Sequence, residues 1–381
     1  MESKPNVIFF AGNLLPASET FIKAQGEQLR TYKPYYVGSR LIKGLTLPHE
    51  QTIVVNQGGR LGFIQESIYK MWGIAPRFYQ NIKALNPALI HAHFGVCGAL
   101  ALPLKRILKV PMIVTFYGED ATMTDEFART SSLSTRVFLK KRETLKREAD
   151  LFIGVSDFIK QRLIAQGFPE EKIISHYYGV DIQQFQPDLT LPRKPIVLYV
   201  GRFSEKKGCE YLIRAMAQIQ EINDEIEFVL IGDGELKAEV ENLTAQLLRR
   251  YQILGFQPSS IVRQWMNQSM VLVVPSVTAS TGDSEGLPTV VVEAQAMGLP
   301  VIASDHAGIP QAVIQGETGF LTQEKDVDAI AKYILMLYQN PQLCQKLSDR
   351  GKDHMRKNFD RTKQAQILER IYDEILQQNQ Q

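Results

Sequence analysis

VLVVPSVTASTGDSEGLPTVVVEAQAMGLPVIAS, residues 271–304, alternates between strand-like and helix-like segments. Its two ends, Val271–Val274 and Pro300–Ala303, are short apolar runs bounded by Pro, Gly and Ser, as is typical of buried parallel strands. Between them the pattern predicts a glycine-containing loop and then a helix that begins at about Thr289. A strand, a crossover helix and a second strand together predict a parallel sheet covered by helices.

The same alternation continues along the whole chain. Further buried strands are predicted at Val7–Ala11, Ala88–His91, Met112–Phe116, Leu151–Val155, Ile196–Val200 and Phe228–Ile231. Helix-like segments separate them, among them 158–166, 208–220, 235–250 and 326–338. The chain therefore predicts an α/β fold with doubly wound sheets.

The series of strands starts twice. Asp181–Pro195 holds three prolines and no apolar periodicity, as linkers do, and a fresh strand follows it. We expect an amino-terminal domain over 1–185, a carboxyl-terminal domain over 194–360, and a last helix over 361–381 that crosses back to the first domain. Two domains agree with a length of 381 residues, at roughly 100–200 residues per domain.

The composition excludes several classes of protein. Lys and Arg number 43 against 41 Asp and Glu, whereas a nucleic-acid-binding protein needs a concentrated excess of cations. The cysteines, Cys97, Cys209 and Cys344, form no CxxC pair, which argues against zinc and disulfides. No run reaches the roughly 18–20 apolar residues of a membrane span, and the amino terminus lacks a signal-peptide pattern. We therefore expect a cytoplasmic protein.

The loop before the predicted helix at 289 has the chemistry of a phosphate site. Gly286 lets the backbone approach a ligand, and the free N–H groups after Pro288 point into the crevice at the strand end. Glu285 precedes this turn and Glu293 lies inside the helix, where carboxylates suit the hydroxyls of ribose or hexose. The alternative is that Glu285 is a solvated loop residue and that Glu293 pairs on the surface.

Two more loops follow strands of the same domain. YVGRFSEKKG presents Arg202 and Lys207, whose cations suit a diphosphate leaving group, unless they belong to an ordinary solvated turn. IGDGE contains Gly232 and LGFQ contains Phe256. We expect this pair to line a nucleobase pocket through backbone contacts.

In the first domain, polar residues follow three predicted strands. AGNLLPASET carries Gly12 and Glu19, HAHFG carries His93, and TFYGED carries Tyr117 and Asp120. All stand at strand ends, where open α/β sheets bind ligands. A helix cap for Glu19 and a core position for His93 are the plainer interpretations. A metal site is disfavoured because no Asp or Cys stands at ligand spacing beside His93.

Taken together, these runs resemble the retaining glycosyltransferases of family 4. The most specific part is Glu285-x7-Glu293 within SEGLPTVVVEAQAMGLPVIAS, which HAGIPQAVIQGETGFL follows. GRFSEKKG is similar to the family's GRxxxxKG run, and VSDFIKQRLIAQGFPEEKIISHYYGVD to its run before the interdomain linker. The resemblance covers nearly the whole chain.

The resemblance implies the GT-B fold, which has two facing Rossmann-like domains with a cleft between them. It also implies a nucleotide-sugar donor and no requirement for a divalent metal or other cofactor. The residues that would hold the donor in the second domain are Arg202, Lys207, Glu285, Gly286, Leu287, Pro288, Thr289 and Glu293. The resemblance implies that Arg202 and Lys207 hold the diphosphate, that Glu285 contacts sugar hydroxyls, and that Glu293 contacts the ribose.

Two features depart from the family's pattern. Many relatives carry His where this chain has Tyr117, and a phenol can donate to a sugar oxygen but cannot hold an imidazolium charge. Many relatives carry GGxE in the loop after the first strand. The corresponding loop of this chain, AGNLLPASETF, contains a single glycine, Gly12. The SETF run that follows resembles members that build exopolysaccharides.

We expect transfer of a hexose, with UDP-glucose as the default donor, to a glycan or lipid-linked saccharide. We expect same-face displacement with retention of the anomeric configuration, because no carboxylate in the sequence is an obvious nucleophile. The catalytic candidates are Arg202, Lys207, Glu285 and His93. A nucleotide-sugar 2-epimerase of the same architecture is the alternative. A nicotinamide dehydrogenase would need GxGxxG, which this chain lacks, and a non-catalytic module would have no use for the paired glutamates.

The first domain is expected to bind the acceptor. Arg136–Arg147, RVFLKKRETLKR, is basic and helix-like with apolar residues interspersed. It is either a solvated helix face or a contact with an anionic membrane that carries a lipid-linked acceptor. The second interpretation would place the protein at the inner face of the plasma membrane.

Overall fold

Contacts divide the chain into two units. The computed structural model describes residues 4–14, 16 and 19–379. Unit 1 comprises the residues up to Tyr178 and those from Arg361 onward, and unit 2 comprises Gly179–Asp360. The sequence pattern places the first boundary at 185, whereas residues 179–185 group with unit 2 in the structure.

Unit 1 is a parallel sheet with helices between its strands. Its strands are β1 (Asn6–Leu14), β2 (Lys33–Leu41), β3 (Thr52–Asn56), β4 (Pro87–His93), β5 (Met112–Phe116), β6 (Leu151–Gly154) and β7 (Ile173–Ser175). Its helices up to β7 are α1 (Thr20–Glu27), α2 (Gly59–Trp72), α3 (Pro76–Ala84), α4 (Gly95–Leu108), α5 (Glu119–Thr122), α6 (Asp125–Thr130), α7 (Leu133–Glu148) and α8 (Asp157–Ala165).

The strand order in unit 1 is β3-β2-β1-β4-β5-β6-β7, and all pairs are parallel. The chain moves outward from β1 to β3 and then returns to the other side of β1, so β1 and β4 flank the point where the winding reverses. Phe9 lies opposite Tyr36 on one side and His91 on the other. All three side chains are buried, which places the core beneath this central pair.

Unit 2 repeats the same plan with six strands. They are β8 (Ile196–Val200), β9 (Glu227–Ile231), β10 (Tyr251–Ile253), β11 (Val271–Val274), β12 (Val301–Ser304) and β13 (Gly319–Thr322). Its helices are α9 (Cys209–Ile222), α10 (Lys237–Leu247), α11 (Ser259–Gln268), α12 (Thr289–Ala296), α13 (Ile309–Ala312), α14 (Val327–Gln339) and α15 (Pro341–Asn358). The strand order is β10-β9-β8-β11-β12-β13, which is that of a dinucleotide-binding sheet.

The last helix, α16 (Arg361–Gln378), packs in unit 1. Leu368, Tyr372 and Ile375 are buried in the core cluster that also contains Val7 and Phe9. Polar contacts fix the helix as well: Tyr372 Oη lies 2.6 Å from His91 Nδ1. The sequence pattern predicts a last helix over 361–381 that crosses back to the first domain; in the structure this helix begins at Arg361 and groups with unit 1.

The segment predicted to be a linker is attached to unit 2. The guanidinium of Arg193 donates to the carbonyl oxygens of Met266, Ser269 and Met297 at 2.8–3.0 Å. Burial lowers the pKa of Arg193 to about 10. The prolines of the segment 181–195 disfavour regular structure, but the hydrogen bonds of Arg193 anchor the segment to unit 2.

Candidate functional site

The candidate residues of unit 2 meet where the sheet reverses its winding. β8 and β11 are neighbours in the sheet, but the connection after β8 leads to β9 on one side and that after β11 leads to β12 on the other. Such a point leaves a crevice beyond the carboxyl ends of the two strands, where open α/β sheets bind ligands. The loop after β8 carries Arg202 and Lys207, and the loop after β11 carries Glu285 and Gly286.

An ion pair joins the two loops. Lys207 Nζ lies 2.6 Å from Glu285 Oε1, and Ser276 Oγ donates to the same oxygen at 3.0 Å. The structure therefore brings together Lys207 and Glu285, which lie 78 positions apart in the sequence. It does so by pairing a predicted phosphate ligand with a predicted sugar ligand.

The Glu285 carboxylate stays ionised although it is buried. Burial alone would raise its pKa, but the ammonium groups of Lys207 and Lys206 and the two hydrogen bonds more than compensate, so the pKa lies below its ordinary value. A buried carboxylate held charged beside a cation can accept hydroxyl hydrogen bonds from a ligand. This favours the functional interpretation of Glu285 over a solvated loop residue.

Further contacts that the sequence analysis missed hold the same two loops together. Lys206 Nζ lies 2.8 Å from Asp283 Oδ2, and the Glu205 carboxylate accepts from the backbone N–H and the hydroxyl of Ser280 at 2.8 and 2.7 Å. The charge pattern contains a signal for this arrangement, since Glu205-Lys206-Lys207 in one loop complements Asp283 and Glu285 in the other.

The start of α12 lies directly after this braced loop. Pro288 occupies the N-cap position, and no described side chain caps the first turn of the helix. The Val291 N–H donates to Pro288 O at 3.2 Å, which leaves the N–H groups of Thr289 and Val290 for an anion. Gly286, Leu287 and Pro288 are buried, Thr289 is half-buried, and the half-buried Glu293 lies one turn further into the helix.

Arg202 differs from Lys207 in its surroundings. Its side chain is exposed and forms neither an ion pair nor a hydrogen bond within the described part of the chain. A guanidinium in that state presents all its donors to solvent or to a ligand.

Gly232 and Phe256 lie at the carboxyl ends of β9 and β10. The Gly232 N–H donates to Gly255 O at 2.9 Å, so the two loops are adjacent. A Cβ at Gly232 would lie 1.8 Å from Gly201 O, which explains why glycine is needed where the loop after β9 crosses the one after β8. The Phe256 ring is 70% exposed and offers a face for stacking.

In unit 1 the candidate residues surround the equivalent reversal between β1 and β4. His93, the last residue of β4, has Nδ1 2.8 Å from Tyr117 Oη, while its Nε2 has no hydrogen-bond partner among the described residues. Burial lowers the pKa of His93 to about 3, so the ring is neutral. His91, by contrast, has both ring nitrogens bonded, to Tyr372 and Thr115, and is a core residue.

Asp120 binds backbone in this structure. Its Oδ1 accepts from the N–H groups of Tyr117 and Gly118 at 3.0 Å, and its Oδ2 accepts from Gly95 N at 2.8 Å. Burial raises its pKa to about 6, and these hydrogen bonds oppose the shift. Asp120 is predicted from the sequence to be a substrate ligand; in the structure its carboxylate holds the first turn of α4 against the loop after β5.

Gly12 and Glu19 occupy positions that the sequence pattern does not anticipate. Gly12 lies inside β1, not in a loop after it, and its N–H donates to Cys97 Sγ at 3.0 Å. Glu19 precedes α1 without capping it. Its Oε2 is buried with no partner among the described residues, and burial raises its pKa to about 7. Ser18, a second residue that the sequence offers as a cap for this helix, lies outside the described residues.

The predicted basic segment forms most of α7. Val137, Phe138 and Leu145 are buried, so the apolar residues of this helix face the core. Arg142 forms a bidentate ion pair with Asp125, and Lys146 pairs with Glu143. This helix presents no apolar face to solvent.

Three negative findings apply to residues 4–14, 16 and 19–379. No group of three or more His, Cys, Asp or Glu side chains there could hold a metal ion. No helix in that range is both long and apolar enough to cross a membrane. Cys97, Cys209 and Cys344 are free thiols.

Two family models match the chain. The model for glycosyl transferases group 1 matches residues 181–354, and that for glycosyltransferase family 4 matches residues 42–184. The two matches correspond closely to unit 2 and to most of unit 1.

Curated relatives and solved structures agree with these models. The amylovoran biosynthesis glycosyltransferase AmsK of Erwinia amylovora is 30% identical over 278 residues, 68% of this chain and 66% of AmsK, so the alignment spans just under two thirds of that relative. The uncharacterized glycosyltransferase MJ1178 of Methanocaldococcus jannaschii is 32% identical over 75% of each chain.

Among solved structures, Anabaena HepE in complex with UDP and glucose superposes with a TM-score of 0.77, covering 97% of this chain and all of HepE at 21% identity. At that identity the likeness concerns the fold, which is the GT-B fold expected from the sequence. The chain therefore belongs to the group 1 glycosyltransferases, with an amino-terminal region of family 4.

Proposed function

We propose that this protein transfers a hexose from a nucleoside-diphosphate sugar to a glycan or lipid-linked saccharide. The observation that carries the proposal is the paired loop of unit 2. There a buried, ionised Glu285 pairs with Lys207 directly before the amino terminus of α12, which no described side chain caps. A carboxylate for hydroxyls and cationic groups for phosphates, placed side by side, suit a sugar diphosphate.

Charge neutralisation is the principal task of the site. When the bond from the sugar C1 to the diphosphate oxygen breaks, negative charge grows on the departing diphosphate. Lys207 has three N–H donors, so it can keep its bond to Glu285 and still donate to a phosphate oxygen. The exposed Arg202 and the first N–H groups of α12 would supply the remaining donors. These groups would allow the reaction to proceed without a divalent metal.

We propose same-face displacement with retention of configuration. The acceptor hydroxyl oxygen forms the new bond to C1, the bond from C1 to the phosphate oxygen breaks, and the acceptor proton passes to that departing oxygen. In this scheme Glu285 serves as a sugar ligand and not as a nucleophile: Lys207 and Ser276 hold its Oε1, and its Oε2 is left to accept from sugar hydroxyls. Glu293 is assigned to the ribose.

The nature of the relatives supports UDP-glucose as the donor and a surface polysaccharide as the product. HepE is described in complex with UDP and glucose, and AmsK is described as acting in amylovoran biosynthesis. Unit 1 is assigned the acceptor, with the Tyr117 hydroxyl, held by the neutral His93, as a donor to a sugar oxygen.

A thermal-shift panel of UDP-, GDP- and ADP-sugars tests donor binding. A ligand that binds the folded state raises the melting temperature in proportion to the logarithm of its concentration over its Kd. UDP-glucose is expected to give the largest shift, and Glu293→Ala to lose it. No shift with any nucleotide sugar would reject the proposal.

Arg202→Gln tests the role of the cations, since it removes a charge without breaking any described contact. We expect kcat/KM to fall on the order of 10²–10³-fold while the melting temperature stays unchanged. Lys237→Gln, which removes a cation from an exposed ion pair with Asp233 in the same unit, is the control.

Proton NMR of the first-formed product reports its anomeric configuration and so tests retention. Formation of an epimerised donor in the absence of acceptor would favour the 2-epimerase.

A further inference from the structure

The amphipathic pattern of α2 is inverted relative to that of an ordinary surface helix. Its buried residues are Gly62, Glu66 and Tyr69, which share one side at about 100° per residue. Leu61 and Trp72, at opposite ends of the helix, are 76% and 65% exposed. A surface helix normally buries its apolar stripe and leaves its charges in water.

Internal contacts of Glu66 fix this orientation. Glu66 Oε2 accepts from Asn56 Nδ2 at 2.8 Å, and Oε1 accepts from Lys70 Nζ at 2.6 Å and lies 3.6 Å from Arg40 Nε. The Tyr69 hydroxyl donates to Leu100 O at 2.8 Å. Turning the helix to bury its apolar side would break all of these contacts, so the apolar side is committed to face outward.

We define the α2 apolar face as Leu61, Ile64, Met71 and Trp72. Their positions fall within an arc of about 100° on the helix, and all four side chains are exposed. Ile74, which follows the αL C-cap Gly73, extends the exposed apolar surface beyond the end of the helix. Several exposed apolar side chains on one side of a helix mark a surface that contacts a protein partner or a membrane.

The segment of the chain that contains α2 is strongly basic. Between Gln51 and Gly118 the chain has seven Lys and Arg but a single acid, Glu66, which is buried. The exposed cations that form no ion pair in the described chain are Arg60, Arg77, Lys83 and Lys109. In contrast, residues 119–150, which contain α7, have seven cations and seven acids. An apolar face with unpaired cations nearby is complementary to an anionic lipid surface.

We propose that the α2 apolar face inserts into the interface of an anionic lipid bilayer, with the exposed cations Arg60, on the same helix, and Arg77, shortly after it in the chain, against the headgroups. This assigns membrane contact to α2 and not to α7, whose apolar residues are buried. The surface goes beyond the proposed reaction and can be tested without donor or acceptor, so its failure would leave the glycosyl-transfer proposal untouched.

Trp72 provides a built-in probe, since the chain has only one other tryptophan, the half-buried Trp265 of unit 2. In the Trp265→Phe variant of the full chain, phosphatidylglycerol vesicles are expected to shift the emission of Trp72 to shorter wavelength. Lipids brominated on their chains are expected to quench it. No change in Trp72 emission with these vesicles would overturn the proposal. A blue shift that grows with protein concentration in the absence of lipid would also overturn it, because it would indicate that a second copy of the chain covers the face.

Vesicle sedimentation of the otherwise unmodified chain tests the face independently. Leu61→Gln and Ile64→Gln are each expected to weaken partition onto phosphatidylglycerol on the order of tenfold. Leu189→Gln, which changes an 85% exposed leucine of unit 2, and Lys140→Gln on α7 are the controls and should bind as the parent does. Equal binding by all four variants, or equal partition of the parent onto neutral phosphatidylcholine, would reject the proposal.

Discussion

Glu19 and Glu285 are both carboxylates withdrawn from water, but their electrostatic settings are opposite. Glu285 has Lys207 at 2.6 Å and keeps a lowered pKa despite its burial. The buried Oε2 of Glu19 has no partner among the described residues, and burial raises its pKa to about 7. Desolvation penalises the charged form unless an opposite charge or a hydrogen bond compensates, so the partner decides the protonation state.

The Glu19 carboxyl predicts a specific dependence of stability on pH. Its folded pKa lies above the ordinary value of 4.5, so the folded chain holds this proton more tightly than the unfolded chain does. The contribution to stability is full below about pH 4.5 and is lost as the pH rises to about 7. Glu19→Gln is therefore expected to stabilise unit 1 at pH 8 by up to about 3 kcal/mol and to have little effect at pH 5.

Urea unfolding at the two pH values measures this difference. Glu50→Gln, which changes an exposed carboxylate of the same unit, is the control. A Glu19→Gln variant that is less stable than the parent at pH 8 would show that the carboxylate is charged and bonded in the folded chain.

At the scale of elements, the geometry of the proposed donor site depends on two loops packed backbone to backbone. Gly208, the N-cap of α9, has a φ of 59°, and a Cβ there would lie 1.9 Å from Pro275 O. Val277 N donates to Lys206 O at 2.8 Å nearby. Any side chain at 208 must push the loop after β8 away from the loop after β11, and with it Lys207 away from Glu285.

Gly208→Ala is therefore expected to cost well over the roughly 1 kcal/mol of a left-handed alanine, and to abolish transfer. Gly255→Ala is a matched control, because Gly255 has a φ of 65° but nothing within 4 Å of the added Cβ. Melting temperatures of the two variants separate backbone strain from steric clash. Equal losses would mean that the loops can separate freely.

On the scale of the whole molecule, the two ends of the chain combine to complete unit 1. Glu369 Oε1 of α16 accepts from the N–H groups of Arg30 and Thr31 at 2.6 Å, and Tyr372 meets His91. Leu368, Ile371, Tyr372 and Ile375 contribute four buried side chains to the core. At about 1.5–3 kcal/mol each, they supply roughly 6–12 kcal/mol, which is comparable with the whole stability of a domain.

A chain ending at residue 360 is accordingly expected to lose the fold of unit 1 and to keep that of unit 2. Limited proteolysis followed by mass spectrometry should leave a resistant fragment that begins near Gly179. Calorimetry should show one cooperative transition in place of those of the full chain. Resistance of residues 4–178 in the truncated chain would contradict the expected role of α16.

Elements that bury both faces were readable from the sequence. The runs IVLYV and MIVTF coincide with β8 and β5, because a strand covered on both sides by helices is apolar at every position. The helix predicted to begin at about Thr289 is α12, which begins at that residue. The strand β2, KPYYVGSRL, was missed because it begins with Lys-Pro and contains polar residues, and its Gly38 is needed where β1 passes close by.

The sequence by itself determined the parallel α/β class and supplied the motif residues from which the donor site is proposed, since local apolar runs, glycines and charges encode these. Tertiary structure alone decided which charges meet and which groups are withdrawn from water. It paired Lys207 with Glu285, directed Asp120 to backbone amides and turned the apolar side of α2 outward. It also left the buried Oε2 of Glu19 without a hydrogen-bond partner among the residues that the structure describes. Burial and pairing depend on residues distant in the chain, so no local pattern can specify them.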